Sequence, residues 1–191
     1  MKKLELVHTI DDIFNLVDNA PTWSKELKEK AVERQKNLLK PANSLGQLED
    51  IAVFLSSWGK KTMKDMEKIS TIVFAGNHGV CRQSINPFPQ EVTFQMVETF
   101  KLGKAAINKI CESNEINLEV IPIDLEKPTA DISIGRAMDE TEFIKSFNIG
   151  LRAVSENMDL ITLGEMGIGN TTIASASVSY THLRAHETIA N

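Results

Sequence analysis

Only two cysteines occur in the 191 residues, Cys81 and Cys111, and they fall into neither a metal-binding nor a redox spacing. A disulfide framework is therefore excluded, and both are expected as reduced thiols. No apolar run reaches the ~20 residues of a membrane span. Met1-Lys2-Lys3 passes at once into Glu5, His8, Asp11 and Asp12, which leaves no apolar core for a signal peptide. The expectation is a cytoplasmic protein with no membrane partner. Clustered basic residues are lacking too. Twenty-one Lys and Arg stand against 26 Asp and Glu, and a net charge of -5 argues against nucleic acid as the main partner. No internal repeat or low-complexity tract is found. With 42% hydrophobic and 25% charged residues, the chain has the composition of a soluble globular protein, long enough for one sizeable domain and a small subdomain.

The stretch richest in chemistry runs from Asp159 to Thr172. Asp159 to Leu163 reads as a short buried strand, and Gly164, Gly167 and Gly169 fall where a strand must turn into a helix starting near Asn170. Glycines let the backbone approach an anion, and the first N–H groups of a helix are unsatisfied donors, so the pattern suits a phosphate. The spacing of G-x-x-x-x-G-K-[ST] is present, but Asn170 stands where that motif has lysine, which disfavours a triphosphate. Gly167-Ile168-Gly169 opens like G-x-G-x-x-G without its third glycine, which disfavours a dinucleotide. A small anion remains, such as a nucleotide monophosphate. An ordinary glycine-rich turn shares this pattern, but Glu165 inside it favours a functional reading.

Along the chain, Thr9-Ile10-Asp11-Asp12 signals a helix start, and helices are expected over Ile10–Asp18, Ser24–Leu39 and Leu45–Trp58. They define a small N-terminal helical subdomain over residues 1–60. Ser70–Ala75 is apolar and β-branched, as a strand covered on both faces should be. It ends in Gly76-Asn77-His78-Gly79, at the strand edge where open α/β sheets bind ligands. His78 is either a turn residue bonded to backbone or a substrate-facing group. Pro87-Phe88-Pro89 stiffens the next loop, so Phe88 either covers core or walls a flat pocket. A helix follows with Val92, Met96 and Phe100 inward, then a helix over Lys104–Cys111 and a strand over Asn117–Ile123. Asp124–Met138 reads as irregular. Asp139–Glu142 caps a helix with Phe143, Phe147, Leu151 and Val154 on one face. Strands alternating with helices imply an α/β fold, a parallel Rossmann-like sheet with flanking helices over residues 69–178. The tail from Ser179 to Asn191 loses this character, resembles translated adapter sequence, and is set aside as non-native. Its His182 and His186 have helical metal-ligand spacing but no third ligand, so no metal is expected.

Several segments together resemble one family, the nicotinate-nucleotide:dimethylbenzimidazole phosphoribosyltransferases. They are Lys40-Pro41-Ala42-Asn43-Ser44-Leu45-Gly46-Gln47-Leu48-Glu49, Phe74 to Val80, Phe88 to Thr93 with Gln95-Met96, Gly103 with Ala105 to Asn108, Arg136-Ala137-Met138, and Gly164 to Thr172. The last is specific to that family, and the resemblance covers about Thr9 to Ala176. Asn43 departs from a usual glycine, Asn77 from aspartate, Ser84 and Asn86 from glycine and serine, and Arg136 from proline. Family members continue beyond this chain, and the glutamate regarded as their general base lies near their C-terminus, so the sequence is expected to be truncated and impaired. A sheet cut there would expose an edge and apolar surface, favouring poor solubility or dimerisation.

The resemblance implies transfer of a 5-phosphoribosyl group from nicotinate mononucleotide to 5,6-dimethylbenzimidazole or a related base, without a cofactor, in the assembly of the cobalamin lower ligand. It implies a homodimer when full length. On this reading Gly167, Ile168, Gly169, Asn170, Thr171 and Thr172 hold the substrate phosphate. Phe88, Gln90 and His78 form the base pocket, and Glu165 supports catalysis without being the main base. The alternative is a non-catalytic module that binds a nucleotide monophosphate, or an inactive fragment.

Overall fold

A computed structural model describes residues 5–59, 67–155 and 158–182. The chain divides into two compact units, Val7–Lys68 and the residues from Ile69 onward together with the first six.

The first unit is helical. Helix α1 spans Ile10–Asp18 and starts in a capping box. The Thr9 hydroxyl accepts the Asp12 N–H at 3.1 Å, and the Asp12 carboxylate accepts the N–H groups of His8 and Thr9. These backbone bonds hold the Asp12 carboxyl below its ordinary range. Helix α2 spans Lys25–Lys36, with Ser24 capping the Leu27 N–H. It stops three residues short of the expected Leu39, because Asn37 turns back and its amide donates to the Glu33 carbonyl at 3.0 Å. Helix α3, Gln47–Trp58, begins two residues later than expected, since Gly46 before it has φ +54. The turn between α2 and α3 is tied by an ion pair of 2.6 Å between Lys40 and Glu49, whose carboxylate also accepts the Leu45 N–H.

In the second unit three parallel strands form a sheet in the order β2-β1-β3, with β1 Ile69–Ala75, β2 Asn117–Pro122 and β3 Leu160–Met166. Central β1 is covered as its sequence requires, with Ile72 and Ala75 fully buried. Helices α4, Glu91–Lys101, and α5, Ala106–Ser113, join β1 to β2, and α6, Glu140–Ala153, precedes β3. Asp139 caps α6 in a capping box with Glu142. Helix α7 spans Asn170–His182. Ala75, Val97 and Leu125 form a buried cluster against Val120 and Met166, directly under the carboxyl ends of the strands.

Three expectations need correction here. Strand β3 does not stop at Leu163 but runs to Met166, so Gly164 belongs to the strand and not to the turn. Gly164 lies opposite Val73, where an added Cβ would stand 3.2 Å from the valine methyl, and the ladder continues until the Gly76 N–H meets the Met166 carbonyl at 3.0 Å. The inward face of α4 is turned by one residue. Thr93 and Val97 are buried, whereas Val92, Met96 and Phe100 are half-buried, and the Thr93 hydroxyl goes inward to accept the Ile168 N–H. The helix after Gly103 runs over Ala106–Ser113, shifted two residues from Lys104–Cys111. Gly103 has φ +68, and the Asn108 amide oxygen accepts the Ala105 N–H to start the helix there. Residues Ser179 to His182 of the tail continue α7, and the remaining tail, with His186, lies outside the described residues.

Candidate functional site

The carboxyl ends of β1 and β3 lie side by side, and the two segments named from sequence, Gly76–Gly79 and Gly167–Thr172, leave the sheet there. Chain entry into α7 is tight. The Asn170 N–H donates to the Gly167 carbonyl at 3.2 Å, and the Thr172 and Ile173 N–H groups donate to the Gly169 carbonyl. Ile168 is held on both sides, its N–H on Thr93 Oγ1 at 3.2 Å and its carbonyl accepting Cys81 Sγ at 3.1 Å. Gly169 has φ +95, and a Cβ there would come to 2.7 Å from Cys81 Sγ; a Cβ on Gly167 would run into the Gly76 carbonyl. Both glycines are therefore required by geometry. The N–H groups of Gly169 and Thr171 take no hydrogen-bond partner among the described residues.

Side chains link the two segments. His78 Nε2 lies 2.5 Å from Asn170 Oδ1, and the Asn170 amide nitrogen donates to the Glu165 carboxylate. Gln90 Nε2 donates to the His78 carbonyl at 2.5 Å, and His78 forms a parallel bridge with Thr129. A cavity of about 540 Å³ opens over this network and is lined by Phe74, Gly76, His78, Glu165, Asn170 and Thr171, among others. A second, of about 470 Å³, shares Gly76, His78 and Ile123 with it and extends to Asn77, Lys127, Thr129, Met138 and Lys145. Both sizes are those of small-molecule pockets. At the second cavity Lys127 pairs with Glu142 at 2.5 Å and Lys145 pairs with Asp124. The Glu142 carboxylate raises the Lys127 ammonium above its ordinary range, and Lys127 with the Asp139 N–H lowers Glu142.

The structure thus brings His78, Glu165, Asn170 and Thr171 around one cavity. Gln90 reaches the network through backbone. Phe88 is 63% exposed and lines neither cavity. Among the described residues no three His, Cys, Asp or Glu side chains gather as a metal site, and no helix is long and apolar enough to cross a membrane.

Sequence reasoning missed two contributors. Thr93 is the polar residue on the buried face of α4, and a threonine at a fully buried helical position is the signal that identifies it. Cys81, read only as a reduced thiol, closes on Gly169 and is held by the Ile168 carbonyl. The departures from the family pattern also acquire a physical sense. Asn43 and Ser84, where glycine is usual, have φ +58 and +55, the left-handed region that glycine enters freely and asparagine tolerates. Asn77 is buried and donates its amide to the Leu125 carbonyl at 2.9 Å.

Fold and geometry define an α/β protein with a glycine-rich turn and two cavities at the carboxyl edge of a parallel sheet, the edge where such folds bind ligands. A family profile described as phosphoribosyltransferase matches residues 20–190. The nicotinate-nucleotide–dimethylbenzimidazole phosphoribosyltransferase of Rhodobacter capsulatus is 42% identical over 170 residues, covering 89% of this chain and 51% of that protein. The enzyme of the same name from Brucella anthropi is 45% identical over 166 residues, covering 87% and 49%. The crystal structure of nicotinate-nucleotide–dimethylbenzimidazole phosphoribosyltransferase from Thermus thermophilus superposes with a TM-score of 0.70 at 29% identity, over 82% of this chain and 53% of that one. The chain belongs to the nicotinate-nucleotide–dimethylbenzimidazole phosphoribosyltransferase family. It spans about half the length of the curated relatives it matches.

Proposed function

We propose that this chain supplies the nucleotide-binding side of a phosphoribosyl transfer from nicotinate mononucleotide to 5,6-dimethylbenzimidazole or a related base, giving α-ribazole 5′-phosphate for cobalamin lower-ligand assembly. The observation that carries the reading is the turn from Gly167 to Thr172, where two glycines fixed by close contacts present the N–H groups of Gly169 and Thr171 at the start of α7. Backbone donors at a helix start suit a phosphate and need no lysine.

In this reaction a ring nitrogen of the benzimidazole bonds to C1 of the ribose as the bond from C1 to the pyridinium nitrogen breaks. That bond's electron pair neutralises the pyridinium, so nicotinate leaves without help from a metal or cofactor. The protein must hold phosphoribosyl and base in line and receive the proton of the attacking base. Gly167 to Thr172, with the Thr171 and Thr172 hydroxyls, hold the phosphate. Glu165, on the wall of the neighbouring cavity, holds ribose hydroxyls as a supporting group. His78 and Gln90 stand on the base side, and Phe88, whose exposed ring lines neither cavity, is assigned there from the family resemblance.

The setting is cytoplasmic, and the full-length protein is a homodimer. Calorimetric titration of nicotinate mononucleotide tests the reading. Saturable binding to this chain and its loss in Gly169→Asp, which adds charge and bulk against the phosphate, are expected. Unchanged affinity in that variant, with its fold confirmed by circular dichroism, contradicts the assignment.

A further inference from the structure

Ile168 stands between two glycines, Gly167 and Gly169, whose permissive torsions leave the peptide planes beside it free to flip unless something outside the turn holds them. The structure supplies those holds. The plane between Gly167 and Ile168 is fixed at both ends, its carbonyl accepting the Asn170 N–H at 3.2 Å and its N–H donating to Thr93 Oγ1 at 3.2 Å. The plane between Ile168 and Gly169 is fixed at its carbonyl, which accepts Cys81 Sγ at 3.1 Å. A trans peptide points its N–H opposite to its carbonyl, so the Gly169 N–H is turned away from Cys81.

Thr93 is the hold that comes from furthest away. Its side chain is fully buried, where a hydroxyl needs a partner, and the partner is the Ile168 N–H, 75 residues along the chain. Gln90 lies three residues before Thr93 at the start of α4, on the same helical face, and donates to the His78 carbonyl. One helical turn therefore grips both segments that leave the carboxyl edge of the sheet. Gln90 holds the segment after β1, and Thr93 holds the segment after β3.

We propose that Thr93 is a positioning residue for phosphate binding, an assignment that rests on the reading of the Gly167 to Thr172 turn as the phosphate site. Its hydroxyl occupies the Ile168 N–H, which keeps that donor away from the anion. The turn is thereby held in the conformation that presents the N–H groups of Gly169 and Thr171 together. Thr93 lines neither cavity and acts through the backbone of Ile168.

The test uses the whole 191-residue chain and two near-isosteric variants. Thr93→Val keeps the volume and removes the acceptor, whereas Thr93→Ser keeps the acceptor and removes a methyl. Calorimetric titration with nicotinate mononucleotide should show affinity weakened about three- to tenfold in Thr93→Val, the worth of one hydrogen bond, and close to the parent in Thr93→Ser. A residue that only fills the core gives the reverse order, because the methyl is then what matters. In amide proton–nitrogen spectra of the ligand-free protein, the Ile168 resonance should move upfield and exchange faster in Thr93→Val, and hold its place in Thr93→Ser. Parent affinity in folded Thr93→Val overturns the proposal and leaves the phosphate reading standing, as does a Thr93→Ser as weak as Thr93→Val. Fast exchange of the Ile168 amide in the folded parent overturns it too, whether or not Thr93→Val folds. If the parent chain does not bind the nucleotide, the phosphate reading falls and the assignment falls with it.

Discussion

Replacing Gly169 with alanine tests how tightly the glycine loop is specified. Gly169 has φ +95, and its added Cβ would sit 2.7 Å from Cys81 Sγ. Alanine in the left-handed region costs about 1–2 kcal/mol, and forcing a methyl against a packed sulfur costs about 1–3 kcal/mol. The expected destabilisation is therefore about 2–5 kcal/mol, a large share of a typical ~5–15 kcal/mol stability. For a chain of this size that corresponds to a fall in Tm of roughly 6–15 °C by scanning calorimetry. The two contributions separate in a double-mutant cycle. Cys81→Ala removes the sulfur, so in its background Gly169→Ala should recover the packing part, a coupling of about 1–3 kcal/mol, and retain the backbone part. A neutral Gly169→Ala would refute the loop geometry, and a full cost unrelieved by Cys81→Ala would refute the sulfur contact.

Gly79→Ala should be worse than Gly169→Ala, because its Cβ meets the backbone of Thr129, Ala130 and Asp131 and no flexible side chain can yield; near-native yield and Tm would contradict this. The Asp131 carboxyl is held below its ordinary range by Gln83, then by the Ser133 hydroxyl and N–H. Its stabilising contribution is therefore complete above the unfolded value of about 3.9 and fades as pH falls toward the lower folded value. Urea midpoints should accordingly show Asp131→Asn less stable than the parent at neutral pH, with the gap closing in acid; a pH-independent gap would count against it. Lys40→Met removes the cation that, ahead of the Leu45 N–H, holds the Glu49 carboxyl low, in a pair whose side chains are only 15% and 14% exposed. Faster hydrogen exchange in α3 is expected, and unchanged exchange would show the pair to be incidental.

Much of this architecture was legible because local signals agreed. The start of α1 follows from Thr9 and Asp12, and the apolar run ending in Ala75 marks the central strand. The glycine-rich turn itself was readable because glycine restricts what a strand-to-helix turn can be. The errors arose where distant residues decide. Gly164 looked like part of the turn but lies in β3, since only its pairing opposite Val73 shows that the ladder continues. The buried face of α4 was misjudged by one position because Thr93 is polar, and its reason for facing inward, the Ile168 N–H, is 75 residues away. The bridge from His78 through Asn170 to Glu165 joins residues 92 apart at its longer link, and no local pattern encodes it. The stiff proline-flanked loop singles out Phe88 without giving the direction its ring faces, so its place in a base pocket stands as a proposal.

The claim at the centre of this account is that the turn from Gly167 to Thr172 holds the phosphate of a nucleotide. Amide proton–nitrogen spectra of the chain during titration with nicotinate mononucleotide test it most directly. The N–H resonances of Gly169 and Thr171, which have no partner among the described residues, should shift downfield and saturate. Those of Ile168, Asn170 and Thr172, already donating to Thr93, Gly167 and Gly169, should move less. Saturation of the nucleotide with Gly169 and Thr171 unmoved would place the phosphate elsewhere and contradict the account.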